Sequence, residues 1–183
     1  MHRSLYPWFI PRLPIIDGVK ALSTMRFSTH PRAKRVGTSD APYHEFNLGM
    51  HVGDDPIAVI SNRAALPCPT NIAWLNQVHG NSVVNSQQVF DEGVPLEADA
   101  CWTAQVGHVC AVMTADCLPV FLVDVEQMRI AAVHCGWRSL QQGIISKSLQ
   151  QMNANRANTV AWLGPAIGPL AFEVGDDVVN AFC

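Results

Sequence analysis

The chain has 183 residues, of which 49% are hydrophobic and 15% charged, and a net charge of −3. This composition supplies a core and excludes a disordered chain. The charge excludes the broadly basic surface that binds nucleic acid or an anionic membrane. No stretch approaches the ~18 consecutive apolar residues of a membrane span. The six cysteines include no Cys-x-x-Cys pair and read as reduced thiols. A cytoplasmic protein with one domain over residues 1–183 is expected.

Residues 1–17 contain Pro7, Pro11 and Pro14, which interrupt any signal-peptide core, and read as an irregular arm. A first strand is expected over 19–23. Residues 28–45, including the short basic run Arg32-Ala-Lys34-Arg35, read as a solvated loop. Residues 47–56 are turn-rich, and Asp55-Pro56 opens a short helix over 57–66. Extended segments are expected at 72–77 and 82–84. The apolar runs 109–114, 120–123 and 130–133 read as strands buried on both faces. Leu140, Ile144, Ile145, Leu149 and Met152 share one helical face. A strand over 159–163 and a helix from Asp176 that meets the chain end at Cys183 complete the pattern. Helices mixed with strands, some strands being consecutive, point to an α/β fold of the α+β type with a mixed sheet.

Three residues stand where an apolar strand gives way to a turn: His79 before Gly80, Cys117 before Leu118-Pro119, and His134 before Cys135-Gly136. Ends of neighbouring strands converge, and two imidazoles with a thiolate suit zinc, with copper as the competitor. Three protein ligands leave a fourth position open for catalysis. The spacing matches no short zinc motif, and a lone histidine at a strand end is more often a hydrogen-bonded residue than a ligand. His2, His30 and His44 sit in loop-like sequence and read as solvated, while His51 and His108 stay open. The same residues also permit a cysteine nucleophile, Cys117 beside Asp116, with His134 as its base. Arg138 follows Gly136-Trp137 near a helix start, where it is either an anion ligand or an ordinary surface arginine.

Several long segments carry a resemblance: Asn76-Gln-Val-His-Gly80, Glu97-Ala-Asp-Ala100, the run from Val109 to Val120 containing Ala115-Asp-Cys-Leu-Pro119, Ala131-Ala-Val-His-Cys-Gly-Trp-Arg138, and Ala161-Trp-Leu-Gly-Pro-Ala-Ile-Gly-Pro169. The sequence resembles the YfiH family, whose members are described both as laccase-like polyphenol oxidases and as purine nucleoside phosphorylases with adenosine deaminase activity. The resemblance implies His79, Cys117 and His134 as zinc ligands. It implies purine nucleoside and phosphate as substrates, with Arg138, Arg63, Arg26 and Gln77 lining their site. Asp116 or Asp99 would either move the proton or only brace the site. It also implies a fold shared with deamidating toxins that use a Cys-His pair. That keeps open a hydrolase acting through Cys117 and His134, beside a copper-dependent phenol oxidase and a non-catalytic binding module. The family's Gly-Gly-Val-Ser stretch is replaced here by the loop over 27–39. Its C-terminal strand–helix section and Ser-Tyr-Arg-Arg motif lie beyond the position of Cys183.

Overall fold

The computed structural model describes residues 4–182 except 13, 15, 29 and 34. The expectations for His2, Lys34 and Cys183 therefore lie outside the described residues. The chain forms two compact units, residues 1–70 and 71–183.

In the first unit, β1 (Trp8–Phe9) pairs antiparallel with β2 (Ser23–Thr24). The arm expected to be irregular thus contributes a strand, and the strand expected over 19–23 shifts to its C-terminal end. Helix α1 (Pro56–Ala64) starts where Asp55 accepts the Ile57 N–H at 3.0 Å, with Pro56 in the first turn. Ala58, Val59 and Asn62 face inward. Asn62 works as a buried polar hub. It accepts from the Thr38 N–H (2.8 Å) and donates to Ser39 Oγ (2.9 Å) and the Asn47 carbonyl (2.8 Å). These bonds order the loop segments that the sequence reads as solvated.

The second unit is built on a five-stranded sheet. Its strands begin with β3 (Ile72–Ala73), β4 (Leu75–Asn76) and β5 (Val83–Asn85). Helix α2 (Ser86–Glu92) follows, then β6 (Leu96–Glu97), β7 (Ala100–Thr103) and β8 (Val109–Cys110). The hairpin β9 (Leu118–Asp124) and β10 (Arg129–Cys135) leads to helices α3 (Trp137–Gln141) and α4 (Ile144–Gln151). Strand β11 (Thr159–Leu163) and helix α5 (Asp176–Phe182) end the unit. The main sheet runs β11-β9-β10-β7-β5, antiparallel except for the parallel β5–β7 edge. Two small parallel pairs, β3–β8 and β4–β6, stand beside it. The fold is mixed α/β, with sheets flanked by helices.

Strand alternation divides the core. Val83, Ala100, Val120, Leu122, Ala131, Val133 and Cys135 pack against Ile144 of α4 and Met152, which caps that helix. Residues next to them in sequence, Val84 and Cys101, turn to the other face and join Val89 and Phe90 of α2. The single helix expected from the apolar face at 140–152 is split, because Gly143 adopts a left-handed conformation (φ 75°) between α3 and α4. The strand expected over 109–114 pairs only at Val109–Cys110. Beyond it, the Met113 backbone bonds to a side chain instead of a strand. Among the described residues no helix is long and apolar enough to cross a membrane.

Candidate metal centre

The β9–β10 register starts the site. His134 lies opposite Pro119 and Cys135 opposite Leu118, so Cys117, just before β9, comes up beside the end of β10. Cys117 therefore reaches the site from the start of a strand, not from the end of the preceding one, and His134 sits within its strand. His79 arrives on the turn after β4. Its Nε2 lies 3.8 Å from Cys117 Sγ, and its ring meets the His134 ring edge-on with centroids 4.7 Å apart. One donor atom from each of His79, Cys117 and His134 falls within 4.8 Å of the others. Ligands of a tetrahedral zinc ion sit roughly 3.3–3.7 Å from one another, so these three side chains fit one ion with small rotations. Exposure rises from buried His134 through half-buried Cys117 to exposed His79.

A buried carboxylate organises this arrangement. Asp99 is 0% exposed. It accepts the backbone N–H groups of Val78 (3.3 Å), His79 (3.0 Å) and Gly80 (2.7 Å), and its Oδ1 lies 2.8 Å from His134 Nδ1. An ionised carboxylate has no proton to give, so Nδ1 carries the hydrogen and Nε2 keeps its lone pair for a metal. His79 itself holds φ 58°, a left-handed conformation costing on the order of 1 kcal/mol for a side-chain-bearing residue. The three N–H bonds to Asp99 hold that turn in place. Burial by itself would raise the Asp99 carboxyl. The His134 hydrogen bond and the Gly80 and Val78 amides outweigh it and hold the group below its ordinary value. Burial first, then the Asp116 and Asp99 charges, push the Cys117 thiol up. A site with this negative surround suits a cation.

Gly136 closes one side. A Cβ there would stand 3.0 Å from the His79 ring and 3.3 Å from Cys117 Sγ, so the backbone approaches as closely as it does because no side chain intervenes. Opposite the Cys117 turn, the Ile167 N–H donates to the Asp116 carbonyl at 2.9 Å and the Gly164 N–H to that of Pro119 at 2.8 Å. The glycine-proline turn after β11 is thereby fastened to the loop that carries Cys117. On the far side of His79, Asn81 donates to the Gln142 carbonyl (3.0 Å) and accepts from Lys147 Nζ (3.1 Å), tying the histidine turn to the α3–α4 junction.

The remaining candidates divide. Asp116 is exposed beside Cys117 with φ 82°. Arg138 is exposed, its guanidinium 4.1 Å from the centre of the Trp137 ring. Gln77 turns both ends of its amide to the Met113 backbone, donating to the carbonyl at 2.8 Å and accepting from the N–H at 2.7 Å. That clamp joins the turn before His79 to the segment before Cys117. Arg26 and Arg63 belong to the first unit. The Arg26 carbonyl accepts the Phe46 N–H at 2.9 Å, and Arg63 Nε donates to the Leu48 carbonyl at 2.9 Å. The organising role of Asp99 is not visible in its local sequence, because it depends on the β7–β10 register that sets Ala100 opposite Val133.

The family described as multi-copper polyphenol oxidoreductase laccase matches residues 29–183. The chain is 42% identical over 177 residues to the purine nucleoside phosphorylase PA4543 of Pseudomonas aeruginosa, covering 96% of this chain and 68% of that protein. It is 42% identical over 177 residues to the purine nucleoside phosphorylase YfiH of Escherichia coli, covering 94% of this chain and 69% of that one. Among solved structures, Neisseria meningitidis protein NMB0706 superposes with a TM-score of 0.86 at 39% identity, over 97% of this chain and 70% of that chain. YlmD of Geobacillus stearothermophilus superposes with a TM-score of 0.82 at 25% identity, over 98% and 70%. The chain thus spans about two thirds of each relative's length. A match over most of the chain, joined to relatives that share two fifths of its residues, makes this protein a member of the YfiH-like family described as multi-copper polyphenol oxidoreductase laccase.

Proposed function

We propose that the protein is a metal-dependent purine nucleoside phosphorylase, with zinc held by His79, Cys117 and His134. The observation that carries the metal reading is the convergence of three donor atoms within 4.8 Å, one of them on an imidazole oriented by a buried carboxylate. The substrate class rests on the relatives named purine nucleoside phosphorylase. Copper is the alternative occupant, since a His2Cys donor set accepts it.

In phosphorolysis a phosphate oxygen bonds to the ribose C1′ while the bond from C1′ to the purine nitrogen breaks. The bonding electrons leave with the base, which takes up a proton. When bound, the metal supplies a Lewis acid that polarises an oxygen ligand. Arg138, exposed at the start of α3, offers a planar set of donors for phosphate, and stacking on Trp137 limits its freedom. Asp116, exposed beside Cys117, is the carboxylate within the site's loop that can exchange a proton with solvent and the departing base. Gln77 takes a positioning role through its clamp on Met113. Hydrolytic loss of the amino group from adenosine is a finer reading of the same site, with Asp116 again the proton carrier.

Oxidation of phenols is the second reading, favoured by the description of the matching family. Laccase chemistry employs several copper ions, whereas the described residues bring together one three-donor cluster. That single cluster does not supply several copper sites, and the relatives named purine nucleoside phosphorylase favour the first reading. The test is an assay of the 183-residue chain with inosine or adenosine and inorganic phosphate, after chelation and after restoring zinc or copper. Free base and ribose 1-phosphate should form only with metal restored. Full phosphorolysis by the chelated protein, or phenol oxidation with no phosphorolysis, contradicts the reading.

A further inference from the structure

We infer that Asp99 is the positioning residue of the metal centre, setting the tautomer of His134 and the backbone of His79 together. The inference rests on reading His79, Cys117 and His134 as ligands, and is independent of which reaction the site performs. Four donors converge on this one carboxylate: three successive amides of the His79 turn and the Nδ1–H of His134. The His134 amide donates to the Asp99 carbonyl as well, at 2.7 Å, so the residue grips that strand by both main chain and side chain. Its own amide is held by the Ser82 carbonyl at 3.0 Å. Asp99 thereby connects two ligands 55 positions apart in sequence, His79 and His134.

A purely structural role makes a different prediction, and the molecule carries its own control. Asp124 is also 0% exposed and also gathers three backbone amides: Glu126 (3.1 Å), Gln127 (3.0 Å) and Asn155 (2.8 Å). It touches no candidate ligand. In Asp99→Asn the new amide group would point a donor at one of the four donors. Either the His79 turn or the His134 ring would then lose its partner. Asp124→Asn creates the same conflict at a turn that serves only the fold.

The experiment titrates the full chain with cobalt(II), with zinc as competitor, and measures stability in parallel. Asp99→Asn should weaken metal affinity by about 10–100-fold. Asp124→Asn should leave it within about twofold, as expected for a distant site, while losing stability. Equal affinities for Asp99→Asn and the wild type, or equal weakening by both variants, would overturn the assignment. Nitrogen NMR of the metal-free wild type gives a second reading that needs no variant to fold. His134 should carry its proton on Nδ1, and a proton on Nε2 with Nδ1 bare overturns the role. A wild type that binds no cobalt refutes the ligand reading, and the tautomer measurement still decides what Asp99 does to His134.

Discussion

The two ends of the β9–β10 hairpin use one device for different purposes. At the closed end, Asp124 is the last residue of β9 and spends its lone pairs on amides alone. At the open end, Asp99 collects amides in the same way but also takes a histidine proton. The imidazole so held has a donor atom within 4.8 Å of a thiol and of another imidazole. A buried carboxylate that satisfies only backbone stabilises a turn. One that also orients a ring prepares a binding site, because the ring transmits its orientation to whatever the other nitrogen meets.

The sharpest way to break this contrast is at the ligands. Cys117→Ser removes the soft donor while keeping a half-buried side chain of similar size. Metal affinity should fall by more than about 100-fold, exceeding the loss from a supporting residue. The thermal midpoint of the metal-free protein should stay nearly unchanged. Binding measured by zinc competition at wild-type strength would refute the ligand assignment.

A smaller effect is expected from Gly136→Ala. The backbone at Gly136 has φ −59°, which alanine accepts, so the fold should persist. Its Cβ would press on the His79 ring at 3.0 Å and Cys117 Sγ at 3.3 Å, displacing both by a few tenths of an ångström. Metal affinity should drop roughly 10-fold, since such sites tolerate little displacement of their ligands. Unaltered affinity with an unaltered circular dichroism spectrum would show that the ligands have more freedom than their packing implies.

At the closed end the expected effect falls on stability alone. Asp124→Asn should cost about 1–3 kcal/mol at neutral pH by leaving a buried donor unsatisfied. The Gln127 amide, followed by those of Asn155 and Glu126, holds the Asp124 carboxyl below its ordinary value despite burial. The stabilisation from its charge is therefore fully present above the unfolded value of about 3.9. It is lost as pH falls through the lower folded value. Urea unfolding of wild type and variant should thus converge below about pH 4. A difference that is constant across that range would assign the effect to packing instead.

How much of this was legible depends on the range of the interaction concerned. The apolar runs at 120–123 and 130–133 mark the hairpin, and β9 and β10 extend them at both ends. The turn residues beside His79, Cys117 and His134 mark the proposed ligands, and the longer motifs around them set the two histidines apart from the other histidines. Strand β7 has no alternation to read, because Ala-Cys-Trp-Thr is short and faces two cores. Helix α2 is only seven residues long, and its local mark is the capping box of Asn85 and Gln88, three residues apart. The expected strand over 109–114 stops after Cys110 for a non-local reason, since the Gln77 side chain takes the Met113 backbone bonds a strand partner would need. Asp99 and Gly136 act through pairing register and close approach, and neither property is encoded by neighbours in sequence.

The most direct test of the three-ligand centre is a cobalt(II) titration of the metal-free chain followed by absorption spectroscopy. One equivalent should bind and produce a thiolate-to-cobalt charge-transfer band together with the intense visible bands of a tetrahedral ion. Saturation without a thiolate band, or a band that survives Cys117→Ser, would contradict a centre built from His79, Cys117 and His134.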